Sequence, residues 1–186
     1  MTDTDDSIPA IANWPSEPDP DHAWKALSLV NDWIRHGDAK IGVTLAVTGA
    51  AGVMLFNIVK DAQDPGCWLV VPAWLAAGIL LLAAAFAVVG LVPKVKVGRR
   101  RDPEAYTNLL FYKHIAGGYE GKPADFVHKL GSLTFNKQEL TKHIGEQVHA
   151  NAAVARRKFE WADRAIKGLA GGLLFVALTG IARVVA

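Results

Sequence analysis

The chain has a single cysteine, Cys67. It can form no internal disulfide, and no cysteine-based zinc cluster can be assembled around it. A lone thiol in a short loop reads as a small hydrophobe. Catalytic signatures are missing too. There is no P-loop, no G-x-G-x-x-G after a strand, no G-x-S-x-G and no H-E-x-x-H. No nucleophile has a base at a recognisable local spacing. The expectation is a protein that is not an enzyme and holds no metal or cofactor. The formal net charge is only +2, so bulk charge does not argue for a nucleic-acid partner. The opening "MTDTDDSIPA" lacks a basic n-region and does not read as a cleaved signal peptide. Residues 1–18, with their Asp, Ser and Pro, read as a disordered tail. No strand-like alternation stands out.

Charge is also missing from two long runs. "IGVTLAVTGAAGVMLFNIV", residues 41–59, and "WLVVPAWLAAGILLLAAAFAVVGLV", residues 68–92, carry none. Each is long enough to cross a hydrocarbon core of about 30 Å at about 1.5 Å per residue. The spacer at 60–67 is too short for a domain, so the two form a hairpin with an external loop. Pro72 falls in the first turns of the second run, where a missing N–H is expected to cost little. Trp68 and Trp74 suit an interfacial anchor. A third run, 168–186, is apolar except for Arg183, which lies near enough to the end to reach the far headgroups.

Positive charge sets the orientation. The hairpin loop has Lys60 beside Asp61 and Asp64, whereas Lys94, Lys96, Arg99, Arg100 and Arg101 follow the second run. Arg156, Arg157, Lys158, Arg164 and Lys167 precede the third. Both basic sides should be cytoplasmic, with the N-terminus inside and the C-terminus outside. The fold expected is an all-α membrane protein with three transmembrane helices and a helical cytoplasmic bundle built from 19–40 and 93–167.

Within that bundle, Trp24, Leu27, Val30 and Ile34 recur at helical spacing, and the helix can run past Gly37 into the first span. "DPEAYTNLLFYKHIAGG" reads as a helix capped by Asp102, opened by Pro103 and stopped by Gly117 and Gly118. "KPADFVHKLG" reads as a short helix closed by Gly131, and Asn136 with Glu139 as a capping signal. Then Leu140, Ile144, Val148, Ala152, Ala155, Phe159, Ala162, Ile166 and Leu169 form one seam. It predicts a single helix from about Lys137 through the third span, with Gly168 and Gly172 as a small-residue packing pair.

Candidate site residues follow from charge and position. Arg99, Arg100 and Arg101 lie within reach of lipid phosphates, so membrane topology accounts for them first. Arg156, Arg157 and Lys158 stand roughly 15–18 Å above the hydrocarbon edge on a helix. They suit an anionic ligand, since arginine bonds two phosphate oxygens at once. Tyr106 and Tyr112, with Phe111 and Phe159, offer a stacking face for a base. The competing reading is a core aromatic set beside a solvated charged face. His143, Glu146 and His149 make only a weak metal signal. In the membrane frame, Asp38 and Lys40 bracket the entry to the first span and Asn57 lies near its exit. Gly42, Ala46 and Ala50 form a small-residue stripe. Three spans enclose little space, so a pore would need a homo-oligomer.

Four segments together resemble the membrane effectors of bacterial Pycsar anti-phage systems, the PycTM family. They are "WIRHGDAKIGVTLAVTGA", the tight two-span hairpin, "DPEAYTNLLFYKHIA" after the basic exit, and "IGEQVHANAAVARRKFEWADRAIKGL" leading into the last apolar run. The resemblance spans about 24–186. It implies an effector in the cell inner membrane. A partner nucleotide cyclase would supply a cyclic pyrimidine nucleotide, cUMP or cCMP, and the activated effector would impair the membrane and cause abortive infection. It implies no residue-level nucleotide site. The alternative is a constitutive membrane scaffold or transporter subunit with no nucleotide ligand.

Overall fold

The computed structural model describes residues 17–62, 66–92 and 108–185. The tail before residue 17, the basic exit with Arg99, Arg100 and Arg101, and Tyr106 lie outside the described residues. Among those described there are five helices and no strand: α1 (Pro20–Val59), α2 (Cys67–Leu91), α3 (Tyr112–Gly118), α4 (Pro123–Phe135) and α5 (Lys137–Val185). Helices α1, α2 and α5 are each long and apolar enough to cross a membrane. The chain divides into two compact units. The first holds residues 17–28 and 108–149, and the second holds 29–62, 66–92 and 150–185.

The second unit is built on three seams with one repeat. On α1 the inward positions are Ile34, Gly37, Ile41, Thr44, Thr48, Ala51, Leu55 and Ile58. On α2 they are Leu69, Ala73, Ala76, Leu80, Ala83, Ala87 and Gly90. On α5 they are Ala155, Lys158, Ala162, Ala165, Leu169, Gly172, Val176 and Thr179. Steps of three and four alternate throughout, the repeat that keeps one face of a helix against its neighbours. Small residues dominate because apolar surface gains little by leaving lipid for protein. Close packing must hold such helices together instead. A Cβ on Gly168 would stand 3.0 Å from Ala83 Cβ, and one on Gly172 would stand 2.5 Å from Leu80 Cδ2. One on Gly90 would meet Ile41 Cδ1 at 2.8 Å and Trp161 Cβ at 3.0 Å. Thr44, Thr48 and Thr179 lie on the seams, and each hydroxyl donates to the carbonyl four residues back. No threonine on these seams therefore demands a polar partner from another helix.

The first unit has its own apolar core of Leu27, Leu109, Leu133, Leu140 and Ile144, flanked by Phe126 and Val148. Asn136 starts α5 as expected, its Oδ1 accepting from the N–H groups of Gln138 and Glu139 at 3.1 Å each.

Several local expectations change. Residues Asn108 to Phe111 are not helical, and α3 begins only at Tyr112. The reason is Asn108, whose Oδ1 takes the N–H of Leu110 at 2.9 Å and so closes a turn instead of a helix. Gly131 does not close α4, which continues to Phe135; nothing there requires a left-handed residue, and Asn136 makes the stop. Ile166 is exposed and Ala165 takes its place on the seam, because the smaller side chain permits closer approach to Ala87 and Ile41. Trp24 is exposed, leaving Leu27 and Val30 to carry the inward face of α1. Pro72 is the sixth residue of α2, so the Trp68 carbonyl forgoes a bond the helix would otherwise make.

Candidate functional site

The expected anion cluster does not present three cations to one point. Consecutive residues on a helix diverge by about 100°, and the three side chains go separate ways. Arg156 is exposed, and its Nε donates to Glu160 Oε1 at 2.9 Å along the same face. Arg157 is half-buried. Lys158 points inward on the α5 seam, where its ammonium pairs with Asp38. Tyr112 belongs to the first unit, is exposed, and meets Phe111 edge-on at 5.1 Å between ring centres.

The structure instead joins residues that the sequence had in separate groups. Lys158, from the anion cluster, meets Asp38, from the entry to the first span. Lys40 stands over the Phe159 ring at 5.0 Å. Gly37 makes room for the aliphatic stem of Lys158, since a Cβ there would be 3.3 Å from Lys158 Cβ. One heptad earlier, Asn151 Nδ2 donates to Asn31 Oδ1 at 2.8 Å. The α1–α5 pair thus carries two polar rungs seven residues apart, the second lying just before the charge-free run of α1 that begins at Ile41. A charged residue on a coiled-coil seam specifies register, because any slip leaves it desolvated without its partner. The Lys158 side chain is only 11% exposed while that of Asp38 is 40% exposed, so the ammonium depends on the carboxylate more than the reverse. On the outer side of this junction, Arg164 stacks over Trp161 at 4.6 Å, and Trp161 meets Phe86 at 5.8 Å.

At the other end of the same unit, Arg183 reaches back to the α1–α2 turn, and its Nη2 donates to the Asp61 carbonyl at 3.0 Å. That contact fastens the end of α5 to the hairpin. Gly168 and Gly172 pack on α2 as described. Asn57 is exposed near the end of α1, and Gly42, Ala46 and Ala50 face outward.

The first unit contains a polar centre built on Asn108, a residue that the sequence did not single out. Asn108 is buried. Its Nδ2 donates to the His143 carbonyl at 3.0 Å and to Glu146 Oε2 at 3.2 Å. Its N–H donates to His114 Nδ1 at 3.1 Å. Burial pushes the His143 imidazole below its ordinary pKa. The carboxylates of Glu146 and Glu139 oppose that shift, and the Lys142 ammonium adds to it. His143 and Glu146 thus surround an amide, and among the described residues no three His, Cys, Asp or Glu side chains are placed to hold a metal. His143 and Glu146 stood out in the sequence only as a weak metal pair; for Asn108 the signal was an asparagine inside an apolar helical pattern, a residue that prefers turns to helix interiors.

These features define a class: an all-helical membrane protein, with three membrane-length helices packed on small-residue seams and a separate helical unit with its own core. The family follows from comparison. Residues 22–184 match the Pycsar effector protein domain, PycTM. The chain is also 39% identical over 162 residues to the Pycsar effector protein PtPycTM of Propioniciclava tarda, an overlap of 86% of this chain and 79% of that protein. No solved structure matches. The chain belongs to the PycTM family of Pycsar effector proteins, and its role is that of an anti-phage effector.

Proposed function

We propose that this protein is switched on by a cyclic pyrimidine nucleotide, cUMP or cCMP, made by a partner cyclase. The activated protein then impairs the inner membrane of the infected cell. It acts as an effector without catalysis of its own. The first unit and the Asp38–Lys158 junction face the cytoplasm, and the α1–α2 turn faces outward. One observation beyond family membership supports this reading. Helices α1 and α5 each begin among residues of the first unit and continue unbroken into the apolar seams. A ligand that prefers one arrangement of those helices shifts the equilibrium by its difference in affinity between the two arrangements. The polar rungs at Asn31–Asn151 and Asp38–Lys158 hold the resting register. A ligand phosphate engaging Arg156, Arg157 or Lys158 competes with Glu160 and Asp38 for these cations. Homo-oligomers then form or rearrange, since three spans alone enclose little space.

The test is dye release from vesicles holding the purified protein, with cUMP, cCMP and the purine counterparts added in turn. Release with one pyrimidine nucleotide, and calorimetric binding of the same compound, is expected. No release and no binding with either one rejects the ligand-gated reading.

A further inference from the structure

At the α1–α2 turn the packing of α1 on α2 leaves a groove of about 370 Å³ in the second unit. Its lining is wholly apolar. Gly52, Ala73 and Ala77 create the space, Phe56 and Trp74 stand at its sides, and Ala62 closes it at the turn. Leu55 and Leu69, both buried, form part of its wall. The groove lies between two membrane-length helices, so hydrocarbon and not water has access to it.

Charge at its end narrows the occupant. Asp61, the neighbour of Ala62, holds the Arg183 guanidinium through its backbone carbonyl. That bond uses one of five N–H donors and leaves the rest of an exposed fork. Lys60, also exposed, precedes Asp61 in the same turn. Among the described residues of the turn, the Asp61 carboxylate is the opposing charge. Two cations with a planar fork between them suit a phosphate.

We propose that the groove and these cations form one site for an anionic phospholipid, with an acyl chain lying between α1 and α2 and the headgroup phosphate on Arg183 and Lys60. The occupied site braces the hairpin against the end of α5 through one ligand. The proposal is independent of the nucleotide reading, because every residue in it lies at the opposite end of the unit from Asp38 and Lys158.

Trp74 supplies the readout. The full-length protein is placed in phosphatidylcholine vesicles containing a minor fraction of lipid with brominated chains. The fluorescence of a Trp74→Phe variant is subtracted to isolate Trp74. Brominated phosphatidylglycerol should quench Trp74 as if enriched about fivefold over brominated phosphatidylcholine, the preference that a net of one basic charge gives when Asp61 offsets one of the two cations. Lys60→Gln with Arg183→Gln should erase that preference and leave phosphatidylcholine quenching unchanged. Ala77→Leu should fill the groove and lower quenching by both lipids. Equal quenching by the two lipids in the unaltered protein overturns the proposal, as does a preference that survives loss of both cations. The charge variants lie outside the packed seams, so the proposal stays testable even if Ala77→Leu does not fold.

Discussion

Lys158 shows how much a single residue's meaning depends on what it faces. By sequence it is one of three adjacent cations; in space it is a seam residue whose charge is answered from 120 positions away. Removing Asp38 leaves an ammonium that water barely reaches. Asp38→Ala should therefore lower stability by about 1–2 kcal/mol, less than for a fully buried pair because the carboxylate is partly solvated. Lys158→Met in the same chain should recover much of that loss. Thermal unfolding of the four proteins of the double-mutant cycle in detergent micelles gives the coupling directly, and a coupling near zero would show the pair to be incidental. His143 yields a second residue-scale prediction. Its folded pKa lies below the ordinary value of 6.5, so as pH falls the unfolded chain takes up the proton first. Stability is full above that value and declines as pH drops from it toward the folded pKa. Protection factors of the amides at the start of α5, taken relative to the intrinsic exchange rate at each pH, should fall on acidification from neutral pH. His143→Gln should flatten that response.

At the scale of elements, the three long helices divide into faces that meet protein and faces that do not. Glycines on the two kinds of face should respond differently to the same change. Gly172→Val places a branched side chain where a single Cβ would already stand 2.5 Å from Leu80 Cδ2, and it should cost about 1–3 kcal/mol through forced separation of α2 and α5. Gly42→Ala meets nothing within 4 Å. It should be neutral, or gain up to about 1 kcal/mol from helix propensity. Comparative melting in micelles distinguishes them, and equal losses at both sites would contradict the seam assignment. The helix limits were largely legible, because caps, prolines and charge-free runs are local signals. The exceptions have local causes too: Asn108 spends its side chain on a turn, and Gly131 is merely tolerated inside α4.

For the whole molecule the proposed orientation across the membrane can be tested directly, and the composition provides a probe. Cys67 is the single cysteine, and it is exposed at the start of α2. In intact spheroplasts a membrane-impermeant maleimide should label it. A protein carrying Cys67→Ser and Ser132→Cys should label only after permeabilisation. The reverse pattern would invert the proposed orientation and move the Arg183 headgroup site to the inner leaflet.

The sequence by itself determined that the chain is helical, where its three apolar helices lie, that one helix runs on from about Lys137, and which family it resembles. Each of these depends on composition and spacing within a short window, which a single chain carries in full. Tertiary structure alone decided which faces pair. It paired Lys158 with Asp38, set Arg183 on the Asp61 carbonyl, and gathered His114, His143 and Glu146 around Asn108. Those choices join residues far apart along the chain. Helical periodicity fixes the direction of a side chain about its own axis, and only packing settles what lies opposite.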